Sequence, residues 1–442
     1  MKKLVFLLIL LLSKSAVTAQ LSFDATETPI TVTPEANTGL EHIYILPSTN
    51  NVQVFYQASS ATASVEWSRF SNLGGAYNEP VQFERNDDIC SIKLNNDDIG
   101  FIIKDESRYH YYWIVNYDNH TMTIDQASVN VLESDCVMTA IDIIGSANPI
   151  TYYTITGIPR ELSREIMVTY NTLQWDGDNQ TYQNRHITKE LSSLSNTIRI
   201  EAPLCNTVFV IEGDRFMKAW GTPITASTDV YYTTAIDVNT YATQVQHEND
   251  NEISDTSSEL GGSAPVEITF TAITTDAVAY REWQISHTPD FDIIDLRFNA
   301  DEVTYTFHDY GIAYVRFIAA NASADCDWTS ETYQVSIGDS KLTCPNAFSP
   351  GASEGINDEW KVSYRSIVDF ECHIFNQWGI ELFSTTDPSV GWNGKHRGKL
   401  VPAGVYYYVI KARGADGKNY SLSGDINIIN FKKGNPRHNS DL

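Results

Sequence analysis

The sequence has 442 residues, of which 42% are hydrophobic, and a formal charge of −26 at neutral pH. A chain of this length exceeds what one hydrophobic core organises, so we expect three or four domains of roughly 100–150 residues each. The negative charge argues against nucleic acid and anionic membranes as partners, because both require a basic surface.

The amino terminus has the order of a secretory signal peptide. Lys2 and Lys3 precede an apolar run, and small side chains lead up to Ala19. The apolar run is about half of the ~20 residues that a membrane-spanning helix needs, so a retained anchor is the less favoured alternative. We therefore predict a signal peptide over 1–19, removed near Ala19, and an exported mature chain without direct membrane insertion.

Six cysteines occur in this exported chain, and an even number permits complete disulfide pairing. They are Cys90, Cys136, Cys205, Cys326, Cys344 and Cys372. None belongs to a C-x-x-C pair, and the spacings differ from those of zinc sites. Disulfide bonds and isolated buried thiols both stay open at this point.

The periodicity along the chain is that of β-strands. Runs of β-branched and aromatic residues alternate with turns rich in Asn, Asp, Gly and Ser, and helical periods are nearly absent. Clear examples are residues 52–56, 111–115, 208–211 and 406–410. We predict an all-β protein of tandem immunoglobulin-like β-sandwich domains that ends in a small β-sandwich.

Changes in composition give the first domain boundaries. A polar break near Cys136 separates a β-sandwich over 20–133 from a second one over 134–246. The stretch 247–263 is acidic and has little to bury, so it is predicted to be an exposed linker, with calcium among its carboxylates as the less favoured alternative.

One turn in the second unit carries acidic residues at alternating positions. Asp176 and Asp178 precede Thr181, where an EF-hand loop would have Gly, and Ile187, where it would have the bidentate Glu. We therefore predict a solvated hairpin turn, with Asp176 and Asp178 as weak calcium candidates and no other cofactor.

Two groups of aromatic residues could stack on sugars. Alternation along a strand buries about half of such residues, so packing in the core is the favoured interpretation. The residues concerned are Tyr111, Tyr112, Trp113, Trp175 and Tyr182.

The unit over 264–340 has a Trp in an early strand and an aromatic run in a later one. The early run is 280–285, and the later run, 305–317, contains Tyr-Gly-x-x-Tyr-Val. This combination resembles a PKD-like, immunoglobulin-type sandwich. Strand alternation predicts that Val315 and Phe317 face its core.

The last part of the chain supplies the most specific signal, because five short motifs occur there in a fixed order. The charge balance also changes: from Lys341 onward twelve Lys and Arg face ten Asp and Glu, whereas the body from Gln20 to Ser340 has fifteen against forty-six. The motifs are PNAFSP (345–350), GINDEW (355–360), FNQWGIELF (375–383), GWNG (391–394) and VPAGVYYYV (401–409).

These motifs resemble the gliding-motility-associated C-terminal domain, the type B sorting domain of the type IX secretion system. We assign it to 343–430, followed by a tail over 431–442. The resemblance implies that an outer-membrane translocon recognises this domain, and that the cargo is then released or held at the surface by an attachment partner. Gln377 occupies a position where the family commonly has Arg, and the loop over 351–355 departs from the family pattern.

The turns of this domain are the candidates for recognition, because turns rich in Asn and Gly present a defined shape at the surface. We select two turns, which are predicted to be exposed. Their residues are Asn376, Gln377, Trp378 and Gly379, and Trp392, Asn393 and Gly394.

The sequence lacks the common catalytic patterns. There is no H-E-x-x-H, no G-x-S-x-G and no phosphate-binding G-x-x-x-x-G-K, so we predict a protein that is not an enzyme. The favoured function is adhesion or binding at the cell surface, with a glycan or a protein as ligand. The alternatives are an exported hydrolase or carbohydrate-active enzyme with its site in residues 20–260, and a surface component of the gliding machinery.

Overall fold

The computed structural model describes residues 20–253, 260–351 and 357–429. The predicted signal peptide (1–19) and tail (431–442) lie outside the described residues. Strands dominate the described part, which confirms the all-β prediction of tandem immunoglobulin-like sandwiches.

Contacts divide the chain into two compact units. The first holds the residues up to Gln174 together with Asn184–Thr233, and the second holds Trp175–Gln183 together with the residues from Thr234 onward. The first unit contains two sandwiches. The second contains two further sandwiches and the tip of one hairpin.

The first sandwich pairs a four-stranded sheet, β1-β4-β8-β7, with a six-stranded sheet, β2-β3-β10-β9-β5-β6. Its core includes Tyr44, Tyr56, Trp67 and Phe101. The strands are β1 (Leu21–Phe23), β2 (Ile30–Val32), β3 (His42–Leu46), β4 (Gln53–Gln57), β5 (Val65–Phe70), β6 (Glu79–Pro80), β7 (Glu84–Asn86), β8 (Ile89–Lys93), β9 (Ile99–Asp105) and β10 (Arg108–Asn116).

The second sandwich consists of the sheets β11-β12-β17 and β16-β15-β18-β19, with a separate β13-β14 hairpin. Its strands are β11 (Met122–Asn130), β12 (Met138–Ala147), β13 (Ile150–Tyr153), β14 (Pro159–Leu162), β15 (Ile166–Asp176), β16 (Thr181–Leu191), β17 (Thr197–Glu201), β18 (Val210–Gly213) and β19 (Ile224–Ser227). The predicted boundary between residues 133 and 134 is misplaced, because β11 lies before it and pairs with β12.

The helices are short. They are α1 (Arg215–Ala219) and the 3-10 turns Ala36–Thr38, Gly75–Tyr77, Tyr117–His120 and Val131–Glu133. Among the described residues, no helix is long and apolar enough to span a membrane.

The first two sandwiches share a hydrophobic cluster. Trp113 and Val115 of β10 pack on the face of their sheet that is opposite the first core, together with Ile150, Tyr152 and Phe216. Because the sheet is covered on both faces, β10 has a nearly continuous apolar run instead of alternation. Packing on two sides thus explains the sequence of this strand.

A buried ion pair lies beside this shared cluster. The guanidinium of Arg164 contacts the carboxylate of Asp214, and the two side chains are 3% and 0% exposed. Asp214 also accepts a hydrogen bond from the Tyr117 hydroxyl (2.9 Å) and caps the amino end of α1. The second guanidinium nitrogen of Arg164 donates to the carbonyl oxygens of His120 and Asn148. The pair therefore connects four separate segments.

The third sandwich consists of the sheet β20-β22-β25 and the sheet β21-β28-β26-β23-β24, to which β27 is added beside β26. Its strands are β20 (Val238–Gln244), β21 (Leu260–Gly262), β22 (Val266–Thr274), β23 (Val278–Ser286), β24 (Leu296–Phe298), β25 (Glu302–Phe307), β26 (Gly311–Asn321), β27 (Asp327–Thr329) and β28 (Tyr333–Ile337). Val315 and Phe317 lie in its core, as predicted. The predicted start at residue 264 is too late, because β20 pairs with β22.

The fourth sandwich has a five-stranded sheet, β30-β37-β36-β32-β33, and the pairs β29-β31 and β34-β35. Its strands are β29 (Lys341–Thr343), β30 (Ala347–Phe348), β31 (Ser363–Arg365), β32 (Ile367–Phe375), β33 (Glu381–Thr385), β34 (Lys395–His396), β35 (Lys399–Leu400), β36 (Gly404–Gly414) and β37 (Asn419–Ile428).

Part of the predicted linker over 247–263 is bound to the fourth sandwich. The backbone N–H of Tyr364 donates to the carbonyl of Asn251 (3.1 Å), and the Asn251 side chain donates to the carbonyls of Val362 (2.7 Å) and Pro388 (2.8 Å). The prediction of a solvated linker is therefore wrong around Asn251. Hydropathy gave no sign of this contact, because polar groups form it.

Candidate functional site

The core of the fourth sandwich is built around two tryptophans. Trp360 and Trp392 form an antiparallel backbone bridge with N···O distances of 2.9 and 3.0 Å. The Trp392 ring packs against Phe348 and Tyr406, with ring centroids 5.6 and 5.4 Å apart. These contacts join the beginning, the middle and the end of the domain.

Asn376 organises the turn between β32 and β33. Its side-chain Oδ1 accepts hydrogen bonds from the backbone N–H groups of Trp378 and Ile380, both at 3.0 Å. Its carbonyl accepts a further bond from Gly379, which has a φ of 81°. A side chain at that φ would be strained, so Asn376 and Gly379 determine the shape of the turn.

The other two residues of this turn face solvent. Gln377 is exposed, and Trp378 is 75% exposed. An indole of this exposure on a rigid turn is uncommon, because tryptophan side chains are on average highly buried. Gln377, Trp378 and Gly379 are thus exposed, whereas Asn376 is partly buried, and Trp378 is the most prominent side chain of the turn.

The second predicted turn has a different environment. Trp392 is 1% exposed, and its Nε1–H donates to the carbonyl of Lys395 at 3.1 Å. Gly394 is also buried, and a Cβ there would lie 3.0 Å from Pro350. Asn393 is exposed and accepts a bond from the Lys395 N–H. The prediction that this turn is exposed is wrong for Trp392 and Gly394, because long-range packing covers both.

Three cysteines are free thiols in the interior. Cys90 and Cys372 are buried in the first and fourth sandwiches, and Cys344 packs against the core of the fourth. Burial raises the pKa of Cys372 to about 12, and it also raises the pKa of Cys90 and Cys344. Such thiols are poorly ionised and act as small hydrophobic side chains.

The calcium candidates lie in the turn of the β15–β16 hairpin. The Asp176 carboxylate accepts bonds from the N–H groups of Asp178 and Asn179 and from the Asn179 amide. These hydrogen bonds, above all the one from the Asn179 side-chain amide, lower the pKa of Asp176 below its usual value. In the described part of the chain, no three His, Cys, Asp or Glu side chains group as a metal site would. The Asp176 carboxylate thus stabilises the turn, and calcium at Asp176 and Asp178 stays a prediction.

Two of the five aromatic residues singled out from the sequence are buried, and the other three are partly buried. Tyr112 and Trp113 are buried, as the core interpretation predicted. Trp175 and Tyr182 meet edge to face at 5.2 Å, and the Tyr182 hydroxyl bonds to Asp237 (3.1 Å) and Asn239 (2.8 Å). These hydrogen bonds hold Tyr182 in place.

The structure also has a recess that the sequence did not indicate. It has a volume of about 640 Å³ and lies on the third sandwich, where β27 is added beside β26. Tyr280 and Glu282 belong to its lining. Its residues lie on β23, β26 and β27, together with Asn299 just after β24, and the pairing register of the strands brings them together.

A smaller cavity of about 440 Å³ lies within the second sandwich, in the region proposed for an unrecognised enzyme site. The Thr207 hydroxyl there accepts from the N–H of Asn171, and the His186 imidazole bonds to the Asn171 side chain at 3.0 Å. Both polar groups are thus engaged in local hydrogen bonds.

Two family models match the chain. Residues 342–428 match the CHU_C Type IX secretion signal domain, and residues 128–230 match a fibronectin type III domain. The resemblance inferred for the carboxyl-terminal domain is confirmed, and an immunoglobulin-like module precedes it. The fibronectin match falls on the second sandwich, and the PKD-like label of the third sandwich stays a prediction. No curated protein matches the chain.

Several solved structures are similar to it at low identity. A tetra-tandem repeat from the extending region of a large adhesion protein is 10% identical over 87% of this chain and 97% of its own, with a TM-score of 0.23. A calcium-stabilised adhesin of an Antarctic bacterium that binds ice is 11% identical over 92% and 100%, with a TM-score of 0.19. Latent PorU of Porphyromonas gingivalis is 8% identical over 74% and 36%, with a TM-score of 0.15. These TM-scores are too low to carry any argument.

Proposed function

We propose that this chain, which carries a type IX secretion signal domain at residues 342–428, acts outside the cell as an adhesive or binding protein. The match of that domain is the observation that carries the export part of the proposal. A predicted signal peptide over 1–19 would bring the chain to the periplasm, and the signal domain would then take it through the outer membrane. The sandwiches before this domain would be its cargo.

The binding part of the proposal rests on the body of the chain. Its sandwiches expose several large apolar side chains, including Tyr109, Tyr232 and Tyr280. In the cavity of the second sandwich, the Thr207 hydroxyl is committed to backbone groups and not to a neighbouring base. Catalysis through an activated nucleophile requires such a base within hydrogen-bond reach. The exposed side chains of the body support a surface that binds a glycan or a protein.

We further propose that the translocon recognises the turn at Asn376–Gly379. Trp378 would be its anchor, because exposed indoles dominate many binding interfaces. Trp392 and Gly394 would contribute by stabilising the domain, and Asn393 is the exposed residue of the second turn. After export, the cargo would be released or held by an outer-membrane attachment partner.

Replacing Trp378 by alanine is expected to block export without unfolding the domain. Its side chain contributes little to the core, so the free energy of unfolding should change by no more than about 0.5 kcal/mol. Loss of an aromatic anchor should weaken recognition by about 2 kcal/mol or more. We would measure the fraction of the chain at the surface of intact cells and the fraction retained in the periplasm.

The matched control is Leu400→Ala, which removes another exposed apolar side chain of the same domain. Leu400→Ala should be exported normally. Equal export of both variants would show that Trp378 is not part of the recognition surface.

A further inference from the structure

The recess on the third sandwich lies on the solvent side of its sheet. Strand pairing places Tyr280, Ala320 and Asp327 in one row across β23, β26 and β27. The parallel row two residues away holds Glu282 and Ile318, with Thr329 on β27. Residues two apart on a strand share a face, so both rows lie on the same side of the sheet.

The row between them identifies this side as the outer one. Ala319 is 5% exposed and belongs to the hydrophobic core, and its neighbour Trp328 packs against that core. Successive residues on a strand point to opposite faces. The rows that contain Tyr280 and Glu282 therefore face solvent.

Two local features create the depth of the recess. Ala320 is a small side chain at the centre of its row, with Tyr280 on one side and Asp327 on the other. A β-bulge between Val278 and Tyr280 shifts the register of β23. Bulges re-aim the side chains that follow them, and Tyr280 is 59% exposed. The result is an aromatic wall beside a small apolar floor.

One polar group of the recess, the Glu282 carboxylate, is held in place. Glu282 Oε1 accepts bonds from Arg297 and Gln284, both at 2.6 Å. Among the described residues, none donates a hydrogen bond to the second oxygen, Glu282 Oε2, so this oxygen can accept a bond from a ligand. Thr329 and Asp327 add a hydroxyl and a second carboxylate on the opposite side.

This combination has the chemistry of a carbohydrate site. A sugar ring has an apolar face of C–H groups, which suits the Tyr280 ring and the floor at Ala320, and a rim of hydroxyl groups, which suits the carboxylates. Polar groups that are already positioned lose less freedom on binding. The volume of about 640 Å³ is that of a ligand cleft.

The charges of the recess select against acidic sugars. Asp327 places one carboxylate in it, and Glu282 adds a second, which is paired with Arg297 at 2.6 Å. Arg281 lies in the same row as Ala319, on the other side of the sheet, and its guanidinium is paired with both oxygens of Asp301 at 2.7–2.8 Å. An anionic glycan would be repelled, because like charges at close range cost binding free energy. A neutral glycan can donate its hydroxyl hydrogens to the same carboxylates.

We propose that this recess binds a sugar unit of a neutral glycan, stacked on Tyr280 and hydrogen-bonded to Glu282 and Asp327. The proposal deepens the proposed function, on which it rests, by giving the adhesive body a ligand class and a site.

The test is calorimetric titration of the full mature chain with neutral hexasaccharides. The neutral probes are oligosaccharides of β-1,3-linked glucose, β-1,4-linked glucose, β-1,4-linked mannose, β-1,4-linked N-acetylglucosamine and α-1,6-linked mannose. Oligogalacturonate is the anionic comparison. We expect at least one neutral probe to bind. Tyr280→Ala should weaken the affinity for that probe by about tenfold or more, which corresponds to ~1.4 kcal/mol. Ala320→Leu should weaken the affinity as well, because the larger side chain fills the floor of the recess.

The control is Tyr310→Ala, which removes a tyrosine of similar exposure (57%) before the other end of β26. It should bind like the unaltered chain, and thermal melting should show that all variants are folded. The proposal is overturned if no neutral probe binds, if oligogalacturonate binds more tightly, or if Tyr280→Ala and Ala320→Leu both bind as the unaltered chain does.

A parallel assay separates this proposal from the proposed function. Cells with the unaltered chain, with Tyr280→Ala or with the gene deleted are compared for attachment to surfaces coated with the neutral glycans and with protein. Attachment that depends on the gene but not on Tyr280 would overturn the recess and support the adhesive function. Attachment that does not depend on the gene would contradict the adhesive function, whatever the titration shows.

Discussion

Replacing Trp392 by alanine is expected to destabilise the carboxyl-terminal sandwich by about 3–5 kcal/mol, the usual cost of removing a large aromatic side chain from a core. Its indole is 1% exposed and packs against Phe348 and Tyr406, so truncation leaves a cavity that those neighbours cannot fill. The lost Nε1–H bond to Lys395 also leaves a carbonyl to be satisfied. Denaturant unfolding of the mature chain measures the effect.

The comparison with Trp378→Ala makes this prediction specific. Both variants remove an indole from a predicted turn of the same domain, but only Trp392 is interior. A cost of unfolding for Trp392→Ala no greater than that for Trp378→Ala would contradict the core position of Trp392. The comparison also guides any export assay. If the Trp392→Ala variant is not exported, the reason is that its carboxyl-terminal domain has unfolded, and the result says nothing about recognition by the translocon.

Replacing Arg164 by methionine is expected to destabilise the first two sandwiches by about 3–5 kcal/mol. The substitution removes one partner of a buried ion pair and leaves the Asp214 carboxylate without its cation in the interior. It also removes the donors to the carbonyls of His120 and Asn148. The loss should appear in the unfolding of the amino-terminal part of the chain.

Arg199→Met is the control for this variant. Arg199 pairs with Glu133 at 2.5 Å, and both side chains are about half exposed, with 53% and 50% of their surface accessible. Exposed pairs contribute about 0–1 kcal/mol, because water screens them. A loss of similar size in the two variants would show that the Arg164–Asp214 pair is not the buried connection described above.

Local patterns in the sequence were sufficient for the strands and for the class of fold. Alternation identified the core residues Val315 and Phe317, and five ordered motifs identified the signal domain. The aromatic run of β10 was recognised as a strand, although its burial on two faces was not foreseen. These features depend on residues close together in the chain.

Features that depend on distant residues could not be predicted. Trp392 precedes an Asn-Gly pair, which is typical of an exposed turn, yet Phe348 and Tyr406 cover it. The boundary before β11 was misplaced because pairing with β12, and not composition, assigns β11 to the second sandwich. Arg164 and Asp214 are fifty residues apart and share no local pattern.

The recess on the third sandwich was missed for the same reason. The sequence places Tyr280 in a strand, but nothing local places Ala320 and Asp327 beside it. The bulge between Val278 and Tyr280 shifts the register of β23, and the sequence around it gave no sign of this shift.

The most direct test of export through the carboxyl-terminal domain is the accessibility of the chain to protease added to intact cells, with and without residues 343–442. The full chain should be digested from outside, and the shortened chain should be protected until the outer membrane is opened. A periplasmic protein that stays intact serves as the control for leakage. Digestion of both forms alike, or protection of both, would contradict export through this domain.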